Sequence, residues 1–132
     1  MKNKKGFTLV ELLAVIVILG VLLVIAVPAI SNVQEDAKKK AAIDNALTVL
    51  KGFESCDIAT ETPCTDASEY VNMTGVTVTR SGEGFSKFVV VFKGYTVSYS
   101  PASGSKSVAT LRSALQALNK SNFNSSKVAS IS

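Results

Sequence analysis

From Phe7 to Ile30 apolar side chains succeed one another, with Thr8 and Glu11 as the polar interruptions. The uninterrupted part, Leu12 to Ile30, is nineteen residues long. Wound as an α-helix it spans about 28 Å, close to the hydrocarbon thickness of a bilayer. The pattern predicts a membrane helix over residues 7–30, with the short basic segment before it, residues 1–6 (MKNKKG), held on the cytoplasmic side.

Polar residues enter at Ser31, yet helical periodicity persists to Phe53. Glu35 with Lys39 and Asp36 with Lys40 are favourable pairs four residues apart, and nothing breaks the helix before Gly52. The helical repeat puts Ile30, Val33, Ala37 and Ala41 on one face. It puts Ile43, Ala46, Leu47, Leu50 and Phe53 on nearly the opposite one. A helix packed on one domain keeps one apolar face, so the rotation predicts two partners: neighbouring helices for the lower half, the chain's own domain for the upper half. Lys38, Lys39 and Lys40 wrap round the helix rather than forming a stripe, which fits a solvated juncture or a headgroup contact and not a DNA site.

Beyond a polar loop over residues 54–74 the period changes from helical to alternating. GVTVTR (75–80), KFVVVF (87–92) and YTVSYS (95–100) predict three strands in an antiparallel meander, joined by Ser81-Gly82-Glu83-Gly84 and by the two-residue turn Lys93-Gly94. One face of the sheet, either Phe88, Val90 and Phe92 or Val89 and Val91, is expected to cover Ile43, Leu47 and Leu50. After a Pro, Ser and Gly turn at 101–106, a second helix is expected over 107–119. Ser107 is its N-cap, and Val108, Leu111, Leu115 and Leu118 recur at helical spacing. The Ser- and Asn-rich stretch 119–132 is either a final strand or a loose tail.

The expected class is therefore α+β. A long N-terminal helix with a protruding hydrophobic half (7–30) and an amphipathic continuation (31–53) packs on a small antiparallel sheet and a short C-terminal helix within a head domain (54–132). At 132 residues the chain has room for one such domain. A head this small gains from a disulfide or from oligomerisation.

Cys56 and Cys64 lie beyond the apolar segment, where an exported domain begins, and predict one disulfide. Their spacing is not that of a zinc site, and without histidine two cysteines complete none. Asp57, Glu61, Asp66 and Glu69 share the polar loop, but their spacing matches no EF-hand; a solvated loop is the better reading, and neither a metal nor another cofactor is expected. The formal charge is +4, but Lys2, Lys4 and Lys5 precede Gly6, and without them eleven cations face ten acids, which gives no case for nucleic-acid binding. No nucleophile motif, phosphate loop or carboxylate cluster is present, so no catalytic residue and no enzymatic activity are expected.

The export route is encoded before the apolar core. A secretory signal ends in a small-residue cleavage site after its core, and a lipoprotein signal ends in a cysteine there. Ala26-Val27-Pro28-Ala29 is neither. The junction Lys5-Gly6-Phe7-Thr8-Leu9-Val10-Glu11-Leu12 instead closely resembles the prepilin signature of type IV pilins, type II secretion pseudopilins and competence pseudopilins. The resemblance covers residues 1 to about 50 of the chain, the apolar helix included. It implies cleavage of Gly6–Phe7 by a membrane prepilin peptidase, which methylates the new amine of Phe7, and a kink or loosening of the helix at Pro28. Its implied partners are that peptidase, a cytoplasmic assembly ATPase with its membrane platform protein, and other pilin subunits. The implied path leads from the cytoplasmic membrane to an extracellular filament. A C-terminal helix departs from the typical pilin, which places a sheet after the long helix.

Glu11 adds a physical argument. A carboxylate in an apolar helix costs on the order of 2–3 kcal/mol near the bilayer centre and signals a partner. No cation lies within helix reach of it on the mature chain. Cleavage supplies one, the α-amine at Phe7, and in a filament the amine of a neighbouring subunit meets Glu11 in a low-dielectric core, where attraction strengthens while desolvation offsets part of it. The primary expectation is thus a structural pilus subunit serving adhesion, motility or DNA uptake. The alternatives are a pseudopilin and a monomeric membrane-anchored binding domain; the last explains the apolar helix but not Gly6, Phe7 and Glu11 together.

Overall fold

The computed structural model describes residues 6, 8–101 and 104–131. The chain divides into two compact units, Met1–Glu35 and Asp36–Ser132. Helix α1, Leu9–Thr60, belongs to both. In the first unit its apolar stretch is solvent-exposed except at the half-buried Ala26, and it is long and apolar enough to cross a membrane. The helix is continuous through Pro28, whose missing N–H removes one backbone donor. One turn on, the Ser31 hydroxyl donates to the Val27 carbonyl (3.2 Å).

In the second unit α1 buries Ala42, Ile43, Ala46, Val49, Leu50, Phe53 and Cys56, a stripe at helical spacing. Leu47, expected inside, lies at the edge of this stripe, and Val49 fills the centre. The helix also outruns its expected end at Phe53 by two turns. Gly52 is not a stop: a Cβ there would lie 2.4 Å from Val71 Cγ1, so this glycine lets the loop pack against the helix. The segment 54–60, expected as loop, is helical, and the helix ends at Thr60 with Glu61 in the left-handed region (φ 56°).

The sheet is built from β1 (Val76–Ser81), β2 (Gly84–Phe92), β3 (Tyr95–Tyr99), β4 (Lys106–Ser107) and β5 (Val128–Ile131), in the order β1-β2-β3-β5, with β4 on β2. The three expected strands are present and antiparallel, with Phe88 opposite Tyr99 and Val90 opposite Val97. Lys93 and Gly94 both take positive φ (48° and 82°), the turn whose twist matches that of its strands. The inward face is the one with Phe88 and Val90, whereas Val91 is exposed. Rings of Phe53 and Phe85, and of Phe85 and Phe88, meet edge to face, which locks α1 to β2.

Helix α2, Val108–Gln116, starts at the expected cap, with the Ser107 hydroxyl accepting from the Thr110 N–H, and buries Leu111 and Leu115. It carries the chain back along the sheet, so β5 enters parallel to β3, with Thr96 beside Val128 and Tyr99 beside Ile131. The meander therefore gains a parallel fourth strand. The tail is a strand, as one of the two expectations had it.

Candidate functional site

The chemistry singled out by the sequence falls at two places. In the first unit Gly6 is exposed, with nothing within 4 Å of where a Cβ would stand. Phe7 and residues 1–5 lie outside the described residues. Glu11 occupies the first turn of α1. Its Oε2 accepts from the Thr8 N–H (3.2 Å), and the Thr8 hydroxyl accepts from the Glu11 N–H (3.2 Å). This reciprocal pair is a capping box. It satisfies two of the four backbone donors a helix start leaves free and places a carboxylate at the positive end of the helix dipole. The signal, Thr-x-x-Glu ahead of an apolar run, stands in the sequence at Thr8 to Glu11 and has a second meaning beside the search for a cation.

Residues 1–27 match the family model described as Prokaryotic N-terminal methylation motif. This is a type IV pilin-like N-terminus. The motif spans Gly6, Phe7 and Glu11; it supports a prepilin-type substrate and implies processing by a prepilin peptidase and assembly into pilus-type polymers. No curated protein and no solved structure matches the chain.

The second place is in the head. Cys56 and Cys64 form a disulfide, with Cα atoms 6.0 Å apart. Around it a polar clamp joins four segments. Asp57, the next residue of α1, accepts from the Cys64 N–H (2.7 Å) and pairs through both oxygens with Arg80 Nη1 on β1 (2.8 and 2.9 Å). The same guanidinium donates to the Cys64 and Glu83 carbonyls and lies over the Phe85 ring, 4.6 Å from its centroid. The Arg80 side chain is 3% exposed, so its charge depends on Asp57. In the sequence Arg80 is only the last residue of the expected strand 75–80. Its role was hidden because the partner is 23 residues away.

Among the described residues no group of three or more acids, cysteines or histidines is placed to hold a metal ion. Asp57, the first of the four loop acids weighed for calcium, is occupied by Arg80.

Proposed function

We propose that this chain is the structural subunit of an extracellular type IV pilus, made as a prepilin, cut between Gly6 and Phe7, methylated on Phe7 and polymerised through the apolar half of α1. The observation that carries the reading is the methylation motif at the head of a helix whose apolar surface the chain leaves uncovered. Before assembly the bilayer covers that surface; in the fibre, neighbouring helices do. Continuity of the uncovered face past the membrane, through Val33 (68% exposed) and Ala37, supports helix packing beyond residue 30. The assembly ATPase and its platform protein are the implied machinery, and the subunit itself needs no catalytic group.

Glu11 has two successive partners in this account. In the uncut chain its carboxylate caps the Thr8 N–H. After cleavage the charged amine of a neighbouring Phe7 draws it into register, an ion pair between two full charges in place of a carboxylate bonded to a backbone N–H. Pro28 is where the helix is weakest in backbone bonding, and it takes the bend or local melting that packing demands. Pseudopilins carry the same motif; the Cys56–Cys64 closure favours a surface fibre under load.

Glu11→Ala and Glu11→Gln in cells carrying the assembly machinery test the reading. Loss of sheared filaments with normal removal of residues 1–6 is the expected outcome. Normal filament yield from Glu11→Ala contradicts the role given to this carboxylate. Processed subunit confined to the membrane fraction of wild-type cells would move the chain to the pseudopilins.

A further inference from the structure

The head is electrostatically polar along its length. At one end α1 enters at Asp36, which pairs with Lys120 (2.9 Å) ahead of β5. The Lys93-Gly94 turn lies at the same end, because the Tyr95 ring meets Phe123 edge to face and the Lys127 ammonium stands 5.4 Å from the Tyr95 centroid. The Lys93 ammonium stands 5.6 Å from the Phe92 centroid. Ring faces thus hold two of this end's ammonium groups, and Lys40 joins them on α1. Strands β1 and β2 reach the other end at Ser81–Gly84, where α1 stops at Thr60. There Glu61 and Glu83 border one depression of about 320 Å³, with the α2 start on its far wall. Glu69 lies in the neighbouring disulfide loop.

Glu61, Glu69 and Glu83 have no ion-pair partner among the described residues, and neither have Lys40, Lys93 and Lys127. Lys106 on β4, opposite Phe85 and with its ammonium 5.6 Å from the Tyr99 centroid, offsets one of the three glutamates; each end still holds a net charge, of opposite sign, at opposite ends of one sheet.

We propose that the lysine end of one head docks on the glutamate end of a second copy of this chain, so that heads stack with a fixed polarity. This rests on the filament reading and deepens it. Self-complementarity selects the partner: a surface that joins unlike ends propagates head to tail instead of closing a symmetric pair, the contact a fibre needs. Lysines on ring faces enter a carboxylate-lined depression, while like ends repel, so charge sets register and direction more than tightness. Several pairs acting together in a crowded fibre, partly shielded from salt, outweigh what any single exposed pair gives.

Charge swapping in the full-length chain, expressed with its assembly machinery, is the test. Reversing the lysine end (Lys93→Glu with Lys127→Glu) and reversing the glutamate end (Glu61→Lys with Glu83→Lys) should each lower sheared filament yield at least tenfold, with processing intact. Combining the four changes should restore yield to within threefold of wild type. Undiminished yield from either reversal overturns the proposal. So does a loss confined to the lysine reversal with no recovery in the combination, which would assign those lysines to anionic lipid. A wild-type chain that makes no filament defeats the parent reading instead, so the two failures are distinguishable.

Discussion

Two parts of α1 obey opposite rules. Between Leu9 and Ile30 nearly every residue is apolar and exposed; Val24, for example, is 76% exposed. Between Asp36 and Thr60 apolar residues are fewer, and Val49, Leu50 and Phe53 are fully buried. One region has apolar surface left exposed among the described residues; the other has apolar surface matched to its own sheet. Hydrophobicity alone therefore does not indicate what a helix packs on. Periodicity does: a helix apolar on all sides needs a partner on all sides, and a striped one needs a single partner.

Deleting one large apolar side chain in each part should break the symmetry most strongly. Phe53→Ala removes a ring that touches Phe85 in the core and is expected to cost about 3–5 kcal/mol. Leu19→Ala should leave the same unfolding transition in place, as followed by tyrosine near-UV dichroism of the full chain in detergent. A charge reverses the sensitivity. Leu19→Lys is expected to oppose membrane insertion by about 2.5–3.5 kcal/mol. Membrane fractionation should show the lost anchoring while the head unfolds as before.

Within the head, removing the disulfide through Cys56→Ser with Cys64→Ser should cost about 2–3 kcal/mol for so short a loop. Hydrogen exchange should quicken first over Glu54–Thr60, the two helical turns that the clamp holds. Gly52→Ala should destabilise by about 1–2 kcal/mol even though alanine is the better helix former, because Val71 occupies the space its Cβ needs. A denaturation midpoint higher than wild type would show that the loop yields freely. The smallest effect runs the other way: Glu61→Gly relieves a left-handed residue at the helix end and should stabilise by about 0.5–1 kcal/mol.

These sites also divide what was legible in the sequence from what was not. The buried upper face of α1, the three strands, the Lys93-Gly94 turn, the Ser107 cap and the inward Leu111 and Leu115 follow from local periodicity and turn chemistry, and the structure has them. Gly52 read as a stop because its tertiary role depends on Val71, a contact no local pattern reports. The last turns of α1 depend on a disulfide and on Arg80, which local helix propensity does not include. The parallel pairing of β5 is a topological consequence of α2 that pattern matching cannot order. At the N-terminus the methylation motif, which spans Gly6, Phe7 and Glu11, was legible by residue type and spacing. The reciprocal bonding of Thr8 and Glu11 was read from the structure.

The central claim is that the uncovered half of α1 is covered by other copies of this chain, in a fibre built from subunits that begin at Phe7. Mass spectrometry of filaments sheared from cells producing the chain tests it most directly. The account predicts an abundant N-terminal peptide starting at N-methylated Phe7. Filaments lacking this protein, or a chain that keeps residues 1–6 at the cell surface, would contradict it.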